Sequence, residues 1–453
     1  MGNNSELDKT VMSLCEKSLK NSGFDVMEYS RYQVKQGLRN ADGTGVIAGL
    51  TRLCNVHGYV LNEGERAPVD GRLVYRGYDL DDIVNGFISE NRFGFEEAVY
   101  LLLTGELPDA AELAEFHAML AMEGELPKNF IHDIIMRSPS DNIMNILARS
   151  VLALYSYDSR AEDQTIENVM RQSVKLIATL PKMMVAAYES KLYAIDNKNM
   201  HFYKPDANRS LAENILLMLR SDQRYAEDEA RLLDLCMVLH ADHGGGNNSS
   251  FAVRTLTSAL TDTYSAIAAG IGSLKGFRHG GANRKVTDML DNIKCNVKDP
   301  DDKDEIQTVL EKIVHREAGD GTGLIYGIGH AVYTLSDPRA RMLKSRLAGL
   351  AIGTEHESEF KIACHVEELA PQVLRRNKGN SINLCANVDL YSGITYRTLG
   401  IPDELFTPMF CISRVAGWCA HRIEELTTPG SKIIRPAYKP AQPEMGYAPL
   451  ASR

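Results

Sequence analysis

The sequence lacks several features that mark common classes of protein. No CxxC pair occurs among its eight cysteines, which lie far apart along 453 residues. It has no apolar run long enough to cross a membrane and no apolar segment near its start. These absences predict a cytoplasmic protein with reduced thiols, without disulfides, structural zinc or a membrane partner.

Positive charge is also in deficit, since 50 Lys and Arg stand against 60 Asp and Glu, a net charge of −10. Because phosphate backbones are bound by Lys and Arg, this balance argues against a nucleic-acid partner. It leaves room for small anionic substrates, which need only a local group of arginines. The 44% hydrophobic and 24% charged content is typical of a globular protein with a large core.

In the first half of the chain, strand signals are confined to residues 54–76, where β-branched and aromatic residues flank Asn-Glu-Gly and Asp-Gly turns. Elsewhere apolar residues recur at helical spacing and stop at Gly, Pro, Asp or Asn. The helices predicted in this way cover 7–19, 95–105, 110–122, 130–136, 142–157, 166–187, 211–219, 226–239, 306–314, 339–350, 357–375 and 406–423. The predicted fold class is therefore mostly α, with a minor N-terminal β-hairpin.

The stretch 239–283 has the composition of an active-site frame. It carries His240 and His243 at one end and His279 at the other, each end followed by glycines. The apolar run between them predicts one or two buried helices. Glycine lets a backbone approach a ligand closely, and histidine exchanges protons near neutral pH.

Two other kinds of site fit parts of the sequence. His240, Asp242 and His243 could hold a metal, but the Glu of HExxH is missing, so a histidine satisfied inside the core is the better explanation. Glycines at 319–329 could cradle a dinucleotide, yet no frame reads GxGxxG or GxxxxGKS. Such a loop is usually a plain turn, although its amides can bind phosphate or an adenine edge.

Each of the remaining candidate site residues could have a purely structural role when considered alone. Asp389 could be a helix N-cap, and the arginines could be surface charges or salt-bridge partners. Together with two histidines they form a set that lies in recognisable motifs. The set is His279, His330, Asp389, Arg339, Arg414 and Arg435.

These motifs resemble those of citrate synthases. They are HADHGGGN (240–247), GFRHGGAN (276–283), GIGHAVYTLSDPRA (327–340), NVDLYSGITY (387–396), Ser-Arg (413–414) and KIIRPAY (432–438). Upstream, GRLVYRGYDLDDI and EEAVYLLLTGELP resemble the family's N-terminal hairpin and early helix. The likeness runs from about residue 55 to residue 438, with the motifs in family order.

The resemblance implies three catalytic roles. Asp389 would remove a methyl proton from acetyl-CoA, and His279 would donate a hydrogen bond to the thioester oxygen. His330 would hold the ketone oxygen of oxaloacetate and protonate it. A positioned base typically raises a reaction rate about 10²–10⁴-fold and an oxyanion donor about 10²–10³-fold. Asp389 and His279 together would therefore lower the barrier to proton removal.

The resemblance also implies the binding residues. Oxaloacetate would be held by His243, Arg339 and Arg414, with Asn247 in the same site, because guanidinium forks suit a dianion. Arg435 would reach the site of a partner subunit, which implies a homodimer. The residues expected along CoA are Leu324, Ile325, Tyr326, Gly327, Ile328, Gly329 and Lys378. No metal and no cofactor are expected, since acetyl-CoA is a substrate.

Three departures from the family pattern stand out. Ala331 follows His330 where Arg is common, and Gly244 follows His243 where an acidic residue is common. No lysine stands just before the NVD motif, so Lys378 or Arg376 could take over the contact with CoA phosphates.

The family's architecture implies a large helical domain, 1–279 with 389–453, and a small domain, 280–388, with the site in the cleft. The predicted reaction forms citrate from oxaloacetate and acetyl-CoA through an enol or enolate and then hydrolyses citryl-CoA. One alternative is 2-methylcitrate formation from propionyl-CoA, since one methyl group is worth only about 1–3 kcal/mol of discrimination. The other is a non-catalytic helical scaffold that retains the fold.

Overall fold

The structure, a computed structural model, describes residues 3–22, 26–40, 42–63, 65–378, 384–442 and 444–452. The chain divides into two compact units, one made of residues 1–50 with 435–453 and the other of residues 51–434. In the first unit lie α1 (Asn3–Asn21) and α2 (Val26–Arg31). The predicted helix at 7–19 is therefore confirmed within α1.

A small antiparallel sheet opens the second unit. It comprises β1 (Cys54–Asn62), β2 (Glu65–Tyr75) and β3 (Tyr78–Asp79), in the order β1-β2-β3. Cys54 lies opposite Tyr75, and the register shifts between His57 and Tyr59. Leu73 and Tyr75 are fully buried, so one side of β2 faces the helices. The predicted hairpin at 54–76 is confirmed.

The rest of the second unit is helical, which confirms the mostly α class. Its helices are α3 (Leu80–Ser89), α4 (Phe95–Thr104), α5 (Ala110–Glu123), α6 (Ile143–Leu154), α7 (Ile166–Ala194), α8 (Leu211–Leu219), α9 (Glu227–His240), α10 (Asn248–Ser258), α11 (Thr263–Leu274), α12 (Ala282–Asn296), α13 (Lys303–Val314), α14 (Pro338–Ala351), α15 (Glu357–Lys378), α16 (Asp389–Thr398) and α17 (Phe406–Thr427). No helix among the described ranges is long and apolar enough to span a bilayer.

Several helix boundaries differ from the sequence prediction. α7 continues past the predicted end at residue 187, because the polar side chains of its last turns have tertiary partners. Glu189 is fully buried and accepts from the backbone N–H of His201 at 2.8 Å, and Lys191 pairs with Asp196 and Glu404. Residues Ile131–Met136 form a π-type turn instead of the predicted α-helix. Sequence spacing carries no information about such partners.

Two helices near the site were not predicted at all, α12 and α16. The sequence of α16 mixes glycine with aromatic and β-branched residues, which have low helix propensity. Its residues 390–396 are all buried, so packing decides its conformation. α16 packs on α12 and α14, and α12 to α16 pack largely on one another.

Helix α17 lies at the centre of the unit and packs against α4, α7, α9, α10 and α11. Its residues 408–423 are buried without interruption, including Trp418 and Arg414. Such a helix, buried on nearly every side, is a core element. It therefore carries its few polar side chains into the interior, beside the 239–283 stretch. The stretch itself forms two helices, α10 and α11, as predicted.

Candidate active site

The first corner of the site lies where α9 ends and α10 begins. His240 is the last residue of α9 and His243 stands in the following turn. From α17, Arg414 donates through Nε to the carbonyl of His240 at 2.7 Å. The Arg414 guanidinium also lies 4.7 Å from the centre of the Phe410 ring, one helical turn earlier. These contacts fix Arg414 beside the histidine turn.

The imidazole of His243 packs edge-on against that of His330, with ring centres 5.0 Å apart. Tyr333 completes this cluster, since its ring stacks on His330 at 4.7 Å and meets His243 at 5.6 Å. The Arg339 guanidinium lies 5.9 Å from the Tyr333 ring. The fold therefore brings the HADHGGGN and GIGHAVYTLSDPRA motifs together, as the resemblance implies.

The tautomer of His330 follows from its hydrogen bonds. Its Nδ1 accepts from the backbone N–H groups of Val332 and Tyr333, at 3.0 and 3.1 Å. A ring nitrogen that accepts carries no hydrogen, so in the neutral ring the hydrogen is on Nε2. The backbone of the loop thus sets His330 as an Nε2–H donor.

Two guanidinium groups are buried at this site. Arg339 is 4% exposed and forms a two-pronged ion pair with Asp337, whose carboxylate also caps the first turn of α14. Arg414 is 1% exposed, and its Nη2 has no hydrogen-bond partner among the described residues. The same holds for Nε2 of His243. Buried donors without partners are costly, so these groups are suited to bind an anionic ligand.

Burial keeps the first two histidines neutral. It lowers the pKa of His240 to about 3 and that of His243 well below its usual value, and Arg339 and Arg414 lower both further. Nδ1 of His240 bonds the Cys236 carbonyl at 2.8 Å, so this ring is held by its own helix. Nε2 of each of these two rings has no hydrogen-bond partner among the described residues. A neutral imidazole can still donate to an anion.

His279 lies in the turn between α11 and α12 and is partly buried. Its Nε2 is 2.9 Å from the hydroxyl of Ser249, which also accepts from the indole N–H of Trp418 at 3.2 Å. Burial, and then Arg414, lowers the pKa of His279 to about 4, so the ring is neutral near pH 7.

The Ser249 hydroxyl has one hydrogen and two acceptors in reach. It donates either to Asn247 Oδ1, at 2.9 Å, or to His279 Nε2. Only the second choice leaves the hydrogen of His279 on Nδ1, free for a ligand. Asn247 itself caps α10 by accepting from the Ser250 N–H at 3.1 Å. The predicted binding residue Asn247 therefore also shapes the turn.

Asp389 begins α16 and is only partly exposed. Burial raises the pKa of its carboxyl to about 6, although Arg339 and Arg414 act in the opposite direction. The N-cap alternative is not supported, because Asp389 is the first residue of α16 and Val388 is its N-cap. The Asp389 N–H donates to Asn387 Oδ1 at 3.0 Å. The Asp389 carboxyl is a group that can take up a proton near neutral pH.

The glycine loop before His330 lies against the segment that leads to Asp389. Gly329 donates to the Cys385 carbonyl at 2.8 Å, and Asn387 donates to the Gly327 carbonyl at 2.9 Å. Gly327 has φ of 79°, and a Cβ there would lie 3.1 Å from Leu390. Glycine is therefore required for this close approach.

The other residues predicted along CoA differ in exposure and in their contacts. Leu324 is about half exposed and Ile325 is buried, while the hydroxyl of Tyr326 donates to Asp320 at 2.8 Å. Ile328 forms an isolated β-bridge with Ala386. Lys378 is the last residue of α15, and its side chain lies outside the described residues.

Arg435 is exposed and begins the C-terminal segment of the first unit, whereas His243, His330 and Tyr333 belong to the second. Among the described residues, no three His, Cys, Asp or Glu side chains converge as metal ligands. The expectation of a reaction without a metal remains a prediction.

Sequence reasoning missed Ser249, Phe410 and Tyr333 as members of the site. A signal existed for each. Ser249 stands two residues after Asn247 in the first motif, and Tyr333 stands three after His330 in the third. Phe410 precedes Arg414 by four residues, the spacing that places two side chains on one face of a helix.

A helical fold that sets a carboxyl of raised pKa among neutral imidazoles and buried guanidiniums defines an enzyme that moves a proton on an anionic substrate. A family model described as citrate synthase, C-terminal domain, matches residues 41–437. The chain is 34% identical over 409 residues to the citrate synthase of Haloferax volcanii, covering 88% of this chain and 98% of that one. It is 31% identical over 425 residues to that of Synechocystis, covering 92% and 94%. The chain therefore belongs to the citrate synthase family.

Solved structures agree with this assignment. The citrate synthase of Thermotoga maritima superposes with a TM-score of 0.72 at 29% identity, covering 93% of this chain and 99% of that one. The citrate synthase of Thermoplasma acidophilum, solved as a ternary complex with carboxymethyl coenzyme A and oxaloacetate, gives a TM-score of 0.74 at 25% identity, covering 92% and 99%.

Proposed function

We propose that this enzyme condenses oxaloacetate with acetyl-CoA and hydrolyses the resulting citryl-CoA to citrate and CoA. The observation that carries this proposal is the position of Asp389. A carboxyl with a pKa of about 6 lies within electrostatic reach of the buried guanidiniums of Arg339 and Arg414, and Arg414 also acts on His279. Removing a proton from carbon and stabilising the resulting charge require such an arrangement.

Oxaloacetate binds first in this proposal, at the donors that have no protein partner. Arg414 Nη2 and His243 Nε2 bind its carboxylates, and Arg339 binds from the other side while Asp337 holds its guanidinium in place. Planar guanidinium groups fix the orientation of a carboxylate as well as its position. The bound dianion replaces the water that these groups would otherwise need.

Acetyl-CoA then loses a methyl proton to the Asp389 carboxylate. The electron pair moves onto the thioester oxygen, where the N–H of His279 donates a hydrogen bond. This requires the hydrogen of His279 on Nδ1, which the Ser249 hydroxyl supports when it donates to Nε2. A neutral donor suffices, because the pKa of His279 is about 4.

The enol or enolate carbon next attacks the ketone carbon of oxaloacetate. Nε2–H of His330 donates to the ketone oxygen and passes its proton as the C–C bond forms. The loop amides on Nδ1 keep this ring in the required tautomer. Water then cleaves the thioester of citryl-CoA, which releases citrate and CoA.

We propose that CoA lies along residues 324–329, with Lys378 toward its phosphates. The small domain is proposed to span 280–388 and to close over the site, which excludes water from the enolate. In support, α12 to α15 pack on one another, and His330 and Arg339 come from this segment. The boundaries at 279 and 389 and the cytoplasmic location remain predictions.

We also propose a homodimer in which Arg435 reaches the neighbouring site. Five exposed apolar side chains near the ends of α6 and α10, here called the apolar patch, support self-association. They are Leu152, Tyr155, Tyr157, Ile166 and Leu260, each more than a third exposed. Side chains of this size are enriched where two protein surfaces meet.

The test is the release of free CoA thiol from acetyl-CoA in the presence of oxaloacetate, with propionyl-CoA in parallel. We expect thiol release that depends on both substrates and is lost in Asp389→Ala. No release with either thioester would refute the proposed reaction. A higher kcat/KM with propionyl-CoA would instead assign 2-methylcitrate formation. Full activity in Asp389→Ala would remove Asp389 as the base.

A further inference from the structure

A chain of buried polar groups lies directly behind His243 and takes no part in the proposed reaction steps. It links Asp242, His421 and Arg254, which are respectively 0%, 0% and 8% exposed. Asp242 precedes His243 in the sequence, whereas His421 comes from α17 and Arg254 from α10. Groups from three elements thus meet at one turn.

Asp242 spans the turn that contains His243. Its Oδ2 accepts from the N–H of Gly244 at 3.1 Å, so the carboxylate bridges from one side of His243 to the other. This bond closes an Asx turn with His243 as its central residue. The hydroxyl of Tyr75 accepts from the Asp242 N–H at 3.2 Å, which fixes the same turn from the sheet. The direction of the His243 side chain is therefore set by Asp242.

The second oxygen of Asp242 is held by His421. Oδ1 lies 3.1 Å from Nε2 of His421, while Nδ1 of His421 lies 2.8 and 3.1 Å from Nη2 and Nε of Arg254. A guanidinium can only donate, so Nδ1 accepts and the hydrogen of the imidazole is on Nε2, directed at Asp242. Glu424 and Glu425 hold Arg254 in turn. The direction of each hydrogen bond from Arg254 through His421 to Asp242 is therefore determined.

The backbone of α17 comes close enough to enforce this geometry. Gly417 donates to the Ala241 carbonyl at 3.1 Å, and a Cβ at residue 417 would lie 2.5 Å from Asp242 Oδ1. His421 lies one helical turn further on. Although burial alone raises the pKa of Asp242, its interaction with His421, the charge of Arg414 and the hydrogen bond from the Gly244 N–H together keep that pKa well below the usual range. The carboxylate is thus charged and fixed.

We propose that Asp242 and His421 are positioning residues for oxaloacetate, because they fix the turn that presents His243 Nε2 to the substrate. This inference rests on the proposed function, in which His243 binds a carboxylate. The carboxylate that supports this turn belongs to Asp242, the residue before His243. The turn therefore does not need an acidic residue after His243, where this chain has Gly244.

The decisive variant is Asp242→Asn, which keeps the shape of the side chain. Its amide has one acceptor oxygen, whereas His421 Nε2–H and Gly244 N–H both require an acceptor. One of them must then face the NH₂ group, since Arg254 prevents His421 from changing tautomer. We expect the Kd for oxaloacetate to rise about tenfold, the effect of losing one hydrogen bond to a charged group.

His421 is tested by a matched pair of substitutions. Glutamine can donate to Asp242 and accept from Arg254, so His421→Gln should keep the Kd for oxaloacetate within about threefold of wild type, whereas His421→Leu should raise it about tenfold. The control is Arg422→Gln, on the same helix. Arg422 is equally buried but bonds Thr257 and the 261–263 turn instead of Asp242.

Binding can be measured without turnover through the single tryptophan, Trp418, whose indole bonds Ser249 beside His279. Quenching by oxaloacetate gives Kd, and thiol release at saturating oxaloacetate gives the KM for acetyl-CoA. A positioning role predicts a raised Kd in Asp242→Asn and His421→Leu with the KM for acetyl-CoA changed by less than about twofold.

An unchanged Kd in Asp242→Asn would overturn the inference, as would an equal rise in Arg422→Gln. If His421→Leu does not fold, Asp242→Asn and His421→Gln still decide the question. A wild-type enzyme that binds oxaloacetate but releases no thiol would refute the proposed reaction alone. The positioning role would then still be judged by the dissociation constants.

Discussion

Asp389 should have opposed effects on activity and on stability. Its pKa rises from an ordinary 3.8 to about 6, chiefly because the carboxyl is buried. Only the carboxylate can remove a proton from acetyl-CoA, so activity should fall as the pH falls through about 6. Between pH 7 and pH 5 the fraction of ionised Asp389, and with it kcat/KM, should drop about tenfold.

The acid limb can be assigned to Asp389 by its response to oxaloacetate. Arg339 and Arg414 lower the pKa of Asp389, and a bound dianion offsets their charge. The acid-side decline of kcat/KM for acetyl-CoA, measured at saturating oxaloacetate, should therefore have its midpoint at a higher pH than the decline of kcat/KM for oxaloacetate. His279 does not contribute in this range, since its pKa is about 4. A wild-type rate that stays constant from pH 7 to pH 5 would refute the assignment.

The raised pKa of Asp389 also implies that its charged form lowers the free energy of unfolding. The folded state binds the Asp389 proton more tightly than the unfolded chain, so the protonated form stabilises the fold below pH 4. That stabilisation is lost as the pH rises through about 6. At about 1.4 kcal/mol for each pH unit, the charged group costs at most about 3 kcal/mol at pH 7.5 and about half of this at pH 5.

Asp389→Asn removes both effects and tests them together. It should lower kcat about 10²–10⁴-fold. Its thermal midpoint at pH 7.5 should exceed that of wild type, and the gap should narrow at pH 5. Asp389→Glu is the control, since it retains a titratable carboxyl and should retain the acid limb at a reduced rate. An Asp389→Asn variant less stable than wild type at pH 7.5 would contradict the sign of this contribution.

Three further substitutions test other contacts. Ser249→Ala removes the hydroxyl that bonds His279 Nε2 and should lower kcat about tenfold with little change in Kd for oxaloacetate; an unchanged kcat would contradict the tautomer argument. Arg339→Lys keeps the charge beside Asp337 but loses the planar fork, so the Kd for oxaloacetate, followed by Trp418 fluorescence, should rise about tenfold or more. Leu260→Glu places a charge in the exposed apolar patch and should shift the protein toward monomer in sedimentation; an unchanged mass would remove this patch from the interface.

The class of fold and a first set of candidate site residues could be predicted from the sequence. Apolar spacing predicted most helices, and turn residues predicted the hairpin, because both depend on local periodicity. Short motifs supplied His279, His330 and Asp389 before any contact was known. The predictions of secondary structure that failed concern segments whose conformation depends on contacts with other parts of the fold. The extension of α7 depends on partners of Glu189 and Lys191, and α16 is helical although its composition does not favour a helix.

The chemical state of these groups depends on how distant segments pack together. The pKa of Asp389 depends on burial, and the tautomer of His330 depends on loop amides that fold back on its ring. Asp242 and His421 are 179 residues apart in the chain, yet they meet at 3.1 Å. Burial, desolvation and hydrogen-bond direction arise from packing between distant segments, and a motif does not contain them. The sequence therefore predicts which side chains react, and the fold sets their protons and orientation.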